Sequence, residues 1–169
     1  EEEKRADREL SLDDLLLPRV LPALELQRPV QVVHPVRNTH RAVGTRIASE
    51  ITRRYGASGL PPDAITLRLV GSAGQSVAAF GTRGLTVILE GEANDYAGKG
   101  LSGGRLIVVP PRGSTFAPRE NIIVGNVALY GATSGDAYFC GMAGERFAVR
   151  NSGARAVVGI PTPALGRAG

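Results

Sequence analysis

Gly98-Lys99-Gly100-Leu101-Ser102-Gly103 satisfies G-x-G-x-x-G, the spacing of a loop that cradles a pyrophosphate. That chemistry needs a strand before the loop and a helix opening after it, so that the helix N-terminus meets the anion. Here the apolar run Arg105–Val109 follows and Pro110-Pro111 closes it, so the spacing predicts tight corners and no nucleotide site. Lys99 precedes the later glycines, which rules out a P-loop. Cys140, the single cysteine, lies in the apolar run Ala137-Tyr138-Phe139 and reads as a buried, inert thiol. His34 and His40 are the only histidines, six residues apart; metal ligation would need a third ligand on a matching face. A Ser-His-acid triad lacks a nucleophile elbow. Glu90 and Glu92 point to one side of a strand and read as solvated carboxylates. Glu145–Arg146 and Asp95–Lys99 read as ordinary surface charge pairs. The expectation is therefore no catalytic, cofactor-binding or metal-binding residue, and no activity for this chain alone.

Charge gives a rival reading. The formal net charge of +4 combines a net of −4 over residues 1–14 with +5 over 15–56. Basic residues are almost all Arg, and Arg28, Arg37, Arg41, Arg46, Arg53 and Arg54 crowd one stretch. Such a stretch can grip phosphate, which makes a nucleic-acid-binding module the alternative function. The stacking aromatics expected for single strands are missing apart from Tyr55, so nucleic acid is disfavoured as a partner.

The elements that must position these residues differ between two regions. Residues 1–56 hold two of the 22 glycines and read helical. Ser11 is the N-cap of a helix starting at Leu12, which Pro18 and Pro22 are expected to cut short. Pro29–Val33 reads extended. Val43, Ile47, Ile51 and Tyr55 recur at four-residue spacing and predict an amphipathic helix ended by Gly56. From Pro61 onward, short runs alternate with Gly: Ile65–Leu69, Leu85–Leu89, Arg105–Val109, Asn121–Val124, Val127–Tyr130, Ala137–Cys140, Arg146–Val149 and Arg155–Val158. Asn94, Asn121, Asn126 and Asn151 sit at predicted corners, where Asn tolerates left-handed backbone.

A small residue followed by Gly recurs at Ala73-Gly74, Ser102-Gly103, Ser134-Gly135, Ala143-Gly144 and Ser152-Gly153. Two intervals of nine residues are too brief for a helical crossover and suit stacked turns. With no ten-residue helical pattern after Pro61, the residues leave a mainly β fold, a right-handed parallel β-helix (a solenoid) or another all-β fold, with a short helical and extended N-terminal segment. No apolar stretch approaches the length of a membrane span, no signal peptide opens the sequence, and the lone cysteine suits a reducing compartment. The expected location is cytoplasmic.

Three runs carry a resemblance: Gly91-Glu92-Ala93-Asn94-Asp95-Tyr96-Ala97-Gly98-Lys99-Gly100-Leu101-Ser102-Gly103-Gly104, Glu120–Gly135, and Gly144-Glu145-Arg146-Phe147-Ala148-Val149-Arg150-Asn151-Ser152-Gly153-Ala154. Together with Gly71–Ser76 they resemble the Gly-rich (GXGXG) C-terminal β-helix domain of the glutamate synthase large subunit. A related domain, in a subunit of formylmethanofuran dehydrogenase, is a further alternative. The resemblance implies the right-handed parallel β-helix and a structural, non-catalytic role in an enzyme that moves ammonia from glutamine to 2-oxoglutarate. Its FMN and iron–sulfur cluster belong to the parent enzyme, with none expected in this chain. The implied partners are the amidotransferase and FMN-binding domains or subunits; a homo-oligomer is a further option, and no membrane is involved. The implied division is a helical lead-in over 1–28, the GXGXG domain over 29–158 with 29–59 as its helical opening segment, and an unstructured tail over 159–169. The departure of that tail from the family pattern implies a shortened solenoid that needs a covering partner.

Overall fold

Ser11 starts the first helix, α1 (Leu12–Leu26), through a capping box in which its hydroxyl accepts from the Asp14 N–H and the Asp14 carboxylate accepts from the Ser11 N–H. The computed structural model describes residues 10–115 and 120–159. Pro18 and Pro22 lie inside α1, which runs on for 15 residues, so the predicted early stop is corrected. Both prolines are exposed and four residues apart on one face, where the carbonyls deprived of an N–H partner meet water. The opposite stripe, Leu16, Val20, Ala23 and Leu24, is buried.

Strand β1 (Val30–Val36) follows, then helix α2 (Thr45–Tyr55). The four-residue stripe holds as read: Val43, Ile47 and Ile51 are buried, the Tyr55 hydroxyl donates to the Leu24 carbonyl, and Gly56 ends the helix at φ 62°. Strands β2 (Ile65–Ala73), β3 (Leu85–Ala93), β4 (Ser102–Val109), β5 (Val127–Ala128), β6 (Ser134–Phe139), β7 (Arg146–Phe147) and β8 (Arg155–Val158) complete the order. Six of them form one parallel sheet, β1-β2-β3-β4-β6-β8, while β5 and β7 form a small two-stranded sheet. Register places Val32, Leu67, Val87, Leu106 and Ala137 in one buried row. Fully burying each such Val or Leu contributes about 1.5–3 kcal/mol.

The expected right-handed parallel β-helix is thereby corrected. The protein has a mixed α/β fold, with a six-stranded parallel sheet plus helices. Leu16, Leu24, Ile47 and Ile51 share a single core with Leu67 and Val87, so both helices are structural members of the fold. The small-Gly pairs also occupy unlike places. Those at 102 and 134 open β4 and β6, the one at 152 precedes β8, the one at 143 precedes the two-residue β7, and Ala73 ends β2. A recurring corner chemistry thus does not impose equal turns. Asn121–Val124 forms only isolated bridges, Val124 to Ala93 and Ile122 to Met142.

Close approach between strands explains two of the glycines. Gly71 (φ 130°) and Gly91 (φ 152°) stand in register with Val36, and a β-carbon on either would overlap the carbonyl oxygen of the strand before it. The loops between strands are themselves bonded to one another. Ala78 N–H donates to the Val43 carbonyl (2.8 Å), Gly98 N–H to Val77 (2.9 Å), Leu129 N–H to Ala97 (2.8 Å) and Ala148 N–H to Ala128 (2.8 Å). Left-handed backbone in these loops falls on Ser76, Ala78, Phe80, Tyr96, Leu129, Ala148 and Arg150. None of the four corner asparagines has positive φ. Asn151 acts through its side chain instead, accepting from the Gly153 and Ala154 N–H groups at 3.1 and 2.9 Å. The expected tail, beyond Gly159, and the first nine residues lie outside the described residues.

Candidate functional site

Backbone hydrogen bonds decide what the Gly98–Gly103 loop can do. A phosphate cradle must offer free N–H groups. Here Gly98 N–H donates to Val77 (2.9 Å), Lys99 to Tyr96 (3.0 Å), Gly100 to Tyr130 (2.8 Å), Leu101 to Gly98 (3.0 Å) and Ser102 to Gly81 (2.8 Å). Those donors are spent, Gly98, Gly100 and Ser102 on neighbouring loops and Lys99 and Leu101 within their own turns, and the chain then enters strand β4 where a binding loop would open a helix. Lys99 turns its ammonium over the Tyr96 ring, 5.3 Å from the centroid.

The other chemically capable side chains are dispersed. Cys140 is fully buried in the core. His34 sits on β1 with Nδ1 2.6 Å from the Pro35 carbonyl oxygen, and His40 accepts at Nδ1 from the Arg37 N–H at 3.0 Å. Among the described residues, no three His, Cys, Asp or Glu side chains gather as metal ligands.

Charged residues concentrate on the outward face of the large sheet, in pairs. Glu90, read as solvated, is only 8% exposed. Its Oε1 accepts from Arg68 Nη1 at 2.8 Å, and Arg112 Nε lies 3.5 Å away. Glu92 is exposed and accepts from the Ser72 hydroxyl at 2.9 Å. Two rows from Glu90 on the same face, Thr86 donates to Asp63 at 2.5 Å, Arg105 lies 3.6 Å from Asp63, and Asp136 accepts from Arg155 at 2.7 Å. A cleft of about 150 Å³ lies among Asp63, Arg83, Thr86, Arg105 and Asp136, smaller than the usual small-molecule pocket of ~300 Å³ and upward. In the basic stretch, Arg46 pairs with Asp14, and Arg53 and Arg54 pair with Glu50 at 2.7 and 3.5 Å. Half of its six guanidiniums are thus already engaged.

Asp13 is the functional group that reading along the chain missed. It reads there as an acid in the first turn of α1. In the fold its Oδ1 accepts from the Gly44 N–H at 2.8 Å, and its Oδ2 accepts from Arg46 (2.8 Å) and Ile47 (3.4 Å). It therefore caps α2 across 31 residues of sequence, where the Gly44 cap position has no side chain to do so. Burial pushes its carboxyl above the ordinary range, and the three N–H groups and the Arg46 charge pull the other way. The only sequence signal was the missing cap residue before Thr45.

FMN and an iron–sulfur cluster, implied for the parent enzyme by the resemblance, do not fit these residues. A cluster needs several cysteine thiolates, whereas this sequence has one cysteine, buried. A flavin phosphate would need donors that the Gly98–Gly103 loop has already committed.

Residues 13–162 match the GXGXG motif family. The chain belongs to that family. The GXGXG domain is similar to the Schizosaccharomyces pombe protein named glutamate synthase [NADH], 55% identical over 147 residues, which is 87% of this chain and 7% of that protein. It is 53% identical to the Bacillus subtilis glutamate synthase [NADPH] large chain, over 85% of this chain and 9% of that protein. A Synechocystis ferredoxin-dependent glutamate synthase 2 is 48% identical over 86% of this chain and 9% of that protein. The GXGXG domain thus spans less than a tenth of the length of these relatives. None of the described helices is long and apolar enough to cross a membrane.

Proposed function

We propose that this GXGXG domain is the structural, non-catalytic C-terminal domain of a glutamate synthase large chain. In that reading it supports the glutamine amidotransferase and FMN domains while they form glutamate. One observation carries it. Relatives named for NADH, NADPH and ferredoxin share this domain at 55, 53 and 48% identity. What the domain contributes is then independent of the electron donor, as a scaffold's contribution is. The spent donors of the Gly98–Gly103 loop and the buried Cys140 support the same reading. Residues 29–158 are the working body, and 1–28 are a lead-in whose Leu16 and Leu24 enter the common core.

A domain swap tests this. The matching segment of the Bacillus subtilis large chain is replaced by this chain, and glutamine-dependent glutamate formation is measured. Activity within about tenfold of the unswapped enzyme is expected, a barrier change of roughly 1.4 kcal/mol. A folded, flavin-loaded swap without activity would contradict the reading.

A further inference from the structure

We propose that the outward face of the six-stranded sheet is the surface on which the rest of a glutamate synthase large chain docks, an inference that rests on the function proposed above. All-parallel sheets are normally covered on both faces. Here one face is buried against the common core, and the other carries a row set by strand register: Val33, Arg68, Ile88, Ile107, Tyr138 and Val157. Val33 is 55% exposed and Val157 44%, at the two ends of the row; Ile88, Ile107 and Tyr138 between them are half-buried. Six strands at about 4.8 Å spacing make this stripe roughly 24 Å long. Val70, 44% exposed, extends it sideways.

The one charge in the row is neutralised where it stands, because Arg68 donates to Glu90. The flanking row is matched as well, Arg105 with Asp63 and Arg155 with Asp136. An apolar stripe bordered by internally satisfied ion pairs offers little to phosphate or nucleic acid, which need unpaired positive charge. It fits a lasting contact with an apolar, weakly charged protein surface. The lengths of the relatives supply the occupant proposed. More than nine-tenths of each relative lies outside the segment matched by this chain. A domain on the same polypeptide meets this face at high effective concentration and needs no steering charge.

Thiol labelling, read at each introduced position by peptide mass spectrometry, tests the proposal; the segment's own Cys140 is buried. Val33→Cys, Ile107→Cys and Val157→Cys are made singly, both in the 169-residue chain and in the swapped Bacillus subtilis large chain. Maleimide labelling is timed in each. The expected result is rapid labelling in the chain alone and at least tenfold slower labelling in the active large chain. Equal rates in an active, flavin-loaded large chain overturn this proposal and leave the scaffold reading standing. A swap that is inactive despite folding overturns both. Slow labelling in the isolated chain, with a dimer's mass, overturns it in favour of a second copy on this face.

Discussion

The Asp13 carboxylate accepts a 2.8 Å hydrogen bond from the Gly44 N–H, tying the first turn of α1 to the start of α2. Asp13 is only 3% exposed, so its loss leaves buried backbone donors without partners. Asp13→Ala is expected to destabilise the fold by about 1–3 kcal/mol, read as a lower urea midpoint. An unchanged midpoint would remove Asp13 as the bond between the helices.

The same group gives a pH signature. Burial raises its folded-state pKa above the unfolded value. Between those two values the native state holds the extra proton, so the stability contributed by Asp13 falls as pH rises through the window. The stability advantage of the native protein over Asp13→Asn is therefore expected to shrink as pH rises from the ordinary carboxylate value through the folded-state one. An advantage that grows with pH would reverse the sign assigned here.

Gly91 supplies a test of strand spacing. It has φ 152°, and a β-carbon there would overlap the Gly71 carbonyl oxygen, which is backbone and has nowhere to go. Gly91→Ala is expected to cost on the order of 3 kcal/mol or more, from strain and overlap together. Gly131 has φ 64° with nothing within 4 Å of an added β-carbon. Gly131→Ala is expected to cost only ~1–2 kcal/mol, the penalty of left-handed backbone. Equal losses in thermal denaturation would show that interstrand contact is not what selects glycine at 91.

Local periodicity made the elements legible and left their assembly hidden. The α2 stripe was readable because Ile47, Ile51 and Tyr55 recur at one helical turn, and β2 was readable because Ile65, Leu67 and Leu69 alternate. The mixed α/β architecture was not readable, because nothing local says that Leu16 and Ile47 share a core with Leu67. The small-Gly pairs suggested equal turns, whereas they mark corners of unequal strands. Of the site, strand β4 after Gly98–Gly103 was legible in the apolar run Arg105–Val109, whereas the hydrogen bonds of the loop itself were not. Glu90 was misjudged as solvated and the capping role of Asp13 went unread, because their partners Arg68 and Gly44 lie 22 and 31 residues away.

Glu90 extends the predictions to the outward face. Its carboxylate lies between Arg68 and Arg112 with the side chain 10% exposed. Glu90→Gln keeps the shape and removes the charge. It is expected to lower stability by about 1–2 kcal/mol, the scale of a charge-assisted hydrogen bond. The double variant Glu90→Gln/Arg68→Met is expected to recover part of that loss. A fully additive double-mutant cycle would show that the pair is not coupled.

The central claim, that this domain supports glutamate synthesis without reacting groups of its own, is tested by steady-state kinetics. In a glutamate synthase large chain carrying the segment, His34→Ala, His40→Ala, Glu92→Gln, Lys99→Ala and Cys140→Ala are assayed one at a time for glutamate formation. Each is expected to keep kcat and kcat/KM for glutamine within about threefold of the parent, under 1 kcal/mol in the barrier. A loss of about a hundredfold or more in any variant with native thermal stability and full flavin content, a barrier change of ~3 kcal/mol, would contradict the account.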